Sequence, residues 1–231
     1  EVLPVWSCVF IWLRDAEPGA PSVWLFLVLG NGDHVAVADL ADTGEIARAA
    51  LRDGGHVAVA VLSGALRSSY GRVLLAGLSL SFLGDAFLIG ESRQAFLGGL
   101  AAFLLAHLAY VAAFVVNGVS LRWMAGAALP VAGIAVVVAA WLAPHTPPDL
   151  ALPVQLYTAV ISGMVITAFG TRGKGGSMLI LVGALLFFLS DLSVASLRLV
   201  QTDFPTYLWG LPLYYAGQLC LALSAAQSRS H

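Results

Sequence analysis

Phe96-Leu-Gly-Gly-Leu-Ala-Ala-Phe-Leu-Leu-Ala-His-Leu-Ala-Tyr-Val-Ala-Ala-Phe-Val-Val116 is an unbroken apolar run in which His107 and Tyr110 alone carry polar side-chain atoms. A bilayer core about 30 Å thick is crossed by roughly 20 helical residues. Backbone groups in lipid have no water to bond and must satisfy one another within the helix. The run therefore predicts a transmembrane helix. Working outward, apolar segments of similar length recur at about 73–90, 123–143, 150–169, 177–200 and 207–226. Short polar or Gly/Pro-rich connections separate them, at Gly90 to Arg93, Asn117-Gly118, Pro144 to Asp149, Thr171 to Gly176 and Gln201 to Pro205. The segments are continuously apolar and not alternating, which excludes barrel strands. The expected fold class is all-α, a polytopic transmembrane helix bundle with six clear spans.

Composition agrees. Of 231 residues 59% are hydrophobic and 10% charged, with mean hydropathy +0.88, whereas a soluble domain carries about 25% charged residues. That excludes a soluble enzyme, a disordered chain and a disulfide scaffold. A net charge of −2 offers no basic field, so no nucleic-acid partner is expected. Cys8 and Cys220 both sit in apolar runs and read as buried small hydrophobes. Arginine far outnumbers lysine, and Ala, Leu, Val and Gly dominate, a bias of high-GC bacterial genomes. The chain starts at Glu1 with no methionine, as a fragment or a processed product would.

Alternating the spans puts Arg67, Arg72, Arg122, Arg172, Lys174 and Arg229 on one side of the membrane and Arg93 and Arg198 on the other. The positive-inside rule makes the first side, with the C-terminus, cytoplasmic. The expected location is a bacterial inner membrane. Residues 1–56 differ in character, holding 8 of the 13 acidic groups. They are expected to form an atypical N-terminal segment of short or imperfect spans, with Val2–Leu13 and Val23–Gly30 apolar but brief and His56–Leu66 another short run at its edge. Residues 57–231 form the bundle that carries the candidate site.

The functional clue is a pair of aspartates inside spans. An ionised aspartate at mid-helix costs about 2.5–3.5 kcal/mol on insertion scales, so it needs a partner or a use. Gly77-Leu-Ser-Leu-Ser-Phe-Leu-Gly-Asp85 aligns without gaps on Gly183-Ala-Leu-Leu-Phe-Phe-Leu-Ser-Asp191. Both read Gly-x-x-Leu-x-Phe-Leu-small-Asp. Four spans of register separate the two helices, so they run the same way through the membrane. That predicts a parallel four-helix repeat and about eight spans in all. Both aspartates fall in the non-cytoplasmic half and can meet at one depth. His107 and Tyr110 share a helical face, as do Tyr214 and Gln218. Tyr157 lies about two turns into its span, and Ser81 belongs to the Asp85 stretch. Singly, each of these residues has a plain structural use as a helix-to-helix hydrogen bond or interfacial anchor.

No phosphate loop is present, since Gly173-Lys174-Gly175-Gly176 lacks the preceding strand and the Walker spacing. Neither a Gly-x-Ser-x-Gly elbow nor a His-Glu-x-x-His motif occurs. Only His107 lies within a clear span, so no zinc site, no other metal and no cofactor is expected.

At these residues the chain resembles the YhhN-type membrane proteins, which include animal lysoplasmalogenases. The likeness rests on Gly77–Asp85, on Phe96 to Ala-His107-Leu-Ala-Tyr110, on Gly183–Asp191 and on Tyr214-Tyr215-Ala-Gly-Gln218, covering about Ser68 to Ala226. The resemblance implies eight spans and hydrolysis of the vinyl ether bond of lysoplasmalogens, giving a fatty aldehyde and a glycerophospho-head group. The family's N-terminal spans are joined by a short basic turn with a Lys-Pro pair, and this chain has no Lys-Pro.

A vinyl ether resists bases and nucleophiles but yields to acid. Protonation of its β-carbon gives an oxocarbenium ion, water adds, and the hemiacetal collapses. The chemistry needs one carboxylic acid and one carboxylate, the division of labour seen in glycoside hydrolysis. Two carboxyls that share a buried site readily hold one proton between them, and they titrate as a unit. The expectation is that Asp85 and Asp191 are the acid–base pair. Ser81, His107, Tyr110, Tyr157, Tyr214 and Gln218 would orient them, hold water or contact a lysophospholipid head group. Two other classes fit the same residues. A proton-coupled carrier would open the polar cluster to both sides in turn. A lipid-binding scaffold would only pair its aspartates.

Overall fold

The structure, a computed structural model, describes residues 55–88, 92–202, 204 and 206–227. The expectations for residues 1–54, for Cys8 and for Arg229 lie outside the described residues. A helical stretch over 55–62 and a short 3-10 turn, Ala65–Arg67, lead into six helices. These are α1 Ser69–Leu88, α2 Arg93–Asn117, α3 Leu121–Leu142, α4 Ala151–Arg172, α5 Met178–Ala195 and α6 Tyr207–Ser224. The described residues are all-α, and the chain is a multi-pass membrane bundle.

Local chemistry sets the ends. The Ser92 hydroxyl accepts the Ala95 N–H at 3.1 Å, an N-cap that starts α2 a turn before the apolar run begins. Gly118, at φ 97°, lets the chain leave that helix with its N–H on the Val115 carbonyl. After Ala195 the chain widens into a π turn, Ser196–Val200, closed by Gln201 at φ 55°. Such turns insert an extra residue into the helical ladder and recur at functional sites.

Five helices are long and apolar enough to cross a membrane: α1, α2, α3 with the turn after it, α4, and α5 with its π turn. The sixth expected segment, 207–226, is helix α6 but stands outside those five. Tyr214, Tyr215, Gln218 and Trp209 dilute its apolarity, and the first and third of these face the bundle interior.

Packing is cyclic. Helix α1 lies along α2, α2 meets α4, α4 meets α5, α5 lies along α6, and α6 returns to α1. Helix α3 touches chiefly α4 and stands outside that ring. Its Leu129, Val136 and Val137 are at least two-thirds exposed, the apolar outward face expected of a lipid-facing helix. Close approach within the two long pairs depends on glycine. A Cβ at Gly77 would lie 2.6 Å from the Tyr110 ring, and one at Gly183 would lie 2.9 Å from the Gly217 carbonyl.

The termini alternate between the two ends of the bundle. At one end the Ser120 N–H meets the Gly170 carbonyl, Tyr70 meets Ser224 and Ser177 meets Gln227. At the other end Arg93 pairs with Asp149, and Arg198 donates to the Leu88 carbonyl. His56 sits buried against α1 with Nε2 3.0 Å from the Leu78 carbonyl. Cys220 is a free thiol and only half-buried, because α6 turns that position partly out of the core.

A candidate acid–base site inside the helix ring

Each of the five ring helices sends polar side chains inward, and α3 sends none of the candidate residues. Helix α1 brings Ser81 and Asp85, one turn apart on one face. Helix α2 brings His107 and Tyr110, both fully buried. Helix α4 brings Tyr157, α5 brings Asp191, and α6 brings Tyr214 and Gln218 on successive turns.

The hydrogen bonds form two groups. In the first, the Tyr214 hydroxyl donates to Asp85 Oδ2 at 2.6 Å, and Gln218 Nε2 donates to the Tyr214 oxygen at 3.0 Å. The Tyr110 hydroxyl donates to Gln218 Oε1 at 3.0 Å and lies 2.9 Å from the Ser81 hydroxyl. In the second, the Tyr157 hydroxyl donates to Asp191 Oδ2 at 2.6 Å. His107 Nε2 stands 3.8 Å from that same oxygen, beyond hydrogen-bond range. Neither ring nitrogen of His107 makes a hydrogen bond of good geometry among the described residues, although the ring is wholly enclosed, and the backbone of Phe103 one turn back is its nearest polar neighbour on its own helix. A buried imidazole with at most its own helix backbone as partner has a nitrogen left for something polar that visits it.

Phe187 joins the two groups. Its ring lies edge-on to His107 at 4.7 Å between centroids, to Tyr214 at 5.2 Å and to Tyr110 at 6.1 Å. His107 in turn meets the Tyr157 ring at 5.2 Å. All eight residues singled out in the sequence thus fall into one contiguous cluster. Phe187 was not among them. Its signal was available, because it stands one turn before Asp191 at the position that Ser81 occupies before Asp85. Phe103, one turn before His107 and edge-on to Phe187 at 6.2 Å, was likewise not among them, since nothing sets it apart from the other apolar residues of its span.

The geometry gives two carboxyls, each fixed by one tyrosine, in an aromatic enclosure that excludes most solvent. Asp191 keeps 16% of its side chain exposed, so the cluster is not sealed. Such a site can hold a proton on one carboxyl, keep charge on the other and present both to an apolar molecule entering between helices. Among the described residues, no group of three His, Cys, Asp or Glu side chains is placed to hold a metal ion.

The YhhN family model matches residues 56–225. The chain is 35% identical over 162 residues to the lysoplasmalogenase TMEM86B of Sus scrofa, covering 69% of this chain and 66% of that protein. It is 32% identical over 175 residues to the lysoplasmalogenase TMEM86A of Bos taurus, covering 68% and 66%. With the human lysoplasmalogenase TMEM86B the identity is 34% over 168 residues, covering 69% and 66%. The chain thus spans about two-thirds of the length of these curated relatives. No solved structure matches. A match over well more than half of the chain, on the same helices that carry the carboxyl cluster, makes this protein a member of the YhhN family.

Proposed function

We propose that the protein is a membrane-embedded hydrolase that cleaves the vinyl ether bond of lysoplasmalogen-like lysophospholipids to a fatty aldehyde and a glycerophospho-head group. One observation carries the reading. Two intramembrane carboxyls, Asp85 and Asp191, are each held by a tyrosine hydroxyl at 2.6 Å within one aromatic cluster. That is the equipment acid-initiated cleavage requires, and the relatives named above are lysoplasmalogenases.

In the proposed reaction one carboxylic acid gives its proton to the β-carbon of the vinyl ether and becomes a carboxylate. The oxocarbenium ion left behind is stabilised by the second carboxylate and adds water, whose proton passes to a carboxylate. The hemiacetal then collapses. The carboxylic acid gives its proton to the glyceryl oxygen, the carboxylate takes the proton of the hemiacetal hydroxyl, the carbon–oxygen bond breaks, and aldehyde and alcohol leave. Phe187, Phe103 and the apolar ring walls would line the alkenyl chain, while His107 would hold the incoming water beside Asp191.

The same reading includes eight spans in all, a parallel four-helix repeat, a cytoplasmic C-terminus in a bacterial inner membrane, and a distinct segment over residues 1–56. Support for the repeat comes from α1 with α2 and α5 with α6. These are the two most extensively packed pairs, and the first helix of each bears an aspartate.

The test is aldehyde release from an alkenyl-lysophospholipid by the purified protein in D2O, with immediate reduction of the product. Carbon protonation predicts one solvent deuterium at carbon 2 of the aldehyde. Aldehyde without deuterium would exclude this mechanism, and well-folded protein releasing none would exclude the activity.

A further inference from the structure

Arg198 stands on the π turn Ser196–Val200 that follows α5, and its side chain crosses to α1, where a guanidinium nitrogen donates to the Leu88 carbonyl at 3.1 Å. Leu88 is the last residue of α1, three residues past Asp85. One basic side chain therefore sits over the ends of the two helices that carry the carboxyls.

The turn is anchored on both sides. Leu199 and Val200 pack into the apolar cluster of Leu142, Leu150 and Val154, from α3 and the start of α4. Below the turn, Ser193 Oγ donates to the Thr206 carbonyl at 2.9 Å, and Thr206 Oγ1 donates to the Ser193 carbonyl at 3.0 Å. That reciprocal pair clamps the chain after the turn back onto α5. Arg198 itself is left exposed at the rim. Its bond to Leu88 caps a helix C-terminus, a common use of arginine. A guanidinium has five N–H donors in a planar fork, and capping takes one of them. The rest of the fork matches the paired oxygens of a phosphate. The other arginine at this end, Arg93, is engaged by Asp149.

The depth suits a lipid phosphate. At 1.5 Å of rise per residue, Leu88 lies about 4.5 Å beyond Asp85 along α1, and a donor on its outward carbonyl stands roughly 8 Å above that carboxyl. Along α5, the step from Asp191 to Arg198 is about 10 Å of rise. In an alkenyl-lysophospholipid seven bonds separate phosphorus from the β-carbon of the vinyl ether, an extended reach of about 8–9 Å. A phosphate held by Arg198 brings that carbon to the level of both aspartates.

We propose that Arg198 binds the phosphodiester of the lysophospholipid and sets the depth at which the vinyl ether meets Asp85 and Asp191, which makes it the residue that selects phosphate-bearing over neutral ether lipids. The role in turnover rests on the hydrolase reading; the phosphate site does not.

Binding of a radiolabelled 1-O-alkyl-glycerophosphocholine, a saturated ether with no vinyl bond to cleave, tests the site without turnover. The purified protein is held in an uncharged detergent free of other phospholipid, and 1-O-alkylglycerol of the same chain length is the phosphate-free comparison. A hydrogen bond to a charged group is worth about 1.5–3 kcal/mol, and exposure puts this one at the low end, so Arg198→Gln should weaken the phosphocholine lipid about 10-fold relative to the alkylglycerol. Arg198→Lys, which keeps the charge but not the fork, should fall between. Arg93→Gln should leave the preference unchanged. An equal loss for both lipids in Arg198→Gln would make Arg198 a cap only, and an unchanged preference would leave it a contact for bulk lipid; either overturns the site. So would the same loss in Arg93→Gln, which would reveal a diffuse charge at that end. A lost preference without aldehyde release from an alkenyl-lysophospholipid by the unaltered protein would overturn the hydrolase reading and leave the phosphate site standing.

Discussion

Removing the hydroxyl from Tyr214 should do more harm than removing it from Tyr157, although both donate to an aspartate at 2.6 Å. A hydrogen bond to a charged group is worth about 1.5–3 kcal/mol, so either Tyr→Phe change should slow turnover by roughly 10- to 150-fold through the carboxyl it holds. Stability separates the two. In Tyr157→Phe the orphaned oxygen belongs to Asp191, whose side chain is 16% exposed and can take a water instead. In Tyr214→Phe the fully buried Gln218 amide also loses the acceptor of its Nε2, with no solvent to replace it. A stranded buried donor costs about 1–3 kcal/mol. Single polar contacts in membrane bundles average nearer ~0.6 kcal/mol, so the stranded amide sets the difference. Thermal unfolding in one detergent, run beside aldehyde release, should show Tyr214→Phe less stable than Tyr157→Phe by about 1–3 kcal/mol. Equal stabilities would refute the reading of the Gln218 amide as a buried link that water does not reach.

Gly183→Ala should destabilise by about 1–3 kcal/mol, because its Cβ would meet the Gly217 backbone at 2.9 Å, where nothing flexible can yield. Gly163→Ala is the control: nothing lies within 4 Å, so a gain of roughly 0.5–1 kcal/mol in helix propensity is expected in the same unfolding assay. For orientation, Lys174→Cys in intact cells should react with a membrane-impermeant thiol reagent only after permeabilisation, and Thr202→Cys before it; the reverse pattern would invert the assigned topology. Arg198→Gln removes an exposed bond of 3.1 Å to the Leu88 carbonyl and should cost less than about 1.5 kcal/mol in unfolding.

Much of this arrangement is legible in the chain. Hydrophobic length places the six helices to within a few residues of where they lie, since lipid leaves the backbone no alternative to internal bonding. The ends are misjudged where capping, not hydropathy, decides. Helix α2 begins at Arg93 because Ser92 caps it, and α1 extends back through Ser69–Arg72 although that turn is polar. Pairs on one helix, such as Tyr214 with Gln218, follow from spacing alone. The partners across helices do not. Asp85 meets Tyr214 across 129 residues and Asp191 meets Tyr157 across 34, and both choices depend on which helices adjoin in the ring. The peripheral place of α3 is equally invisible, since its apolar face reads like any other span. The π turn after Ala195 leaves no periodic mark in so uniformly apolar a segment.

Two carboxyls, and not one, perform the proposed chemistry. Aldehyde release from an alkenyl-lysophospholipid, measured side by side for the unaltered protein, Asp85→Asn and Asp191→Asn in detergent, tests it most directly. Each amide keeps the size of the side chain it replaces and can still bond its tyrosine, so folding should be retained. The expected result is release by the unaltered protein and its loss in both variants. Full release by either variant, with both well folded, would contradict it.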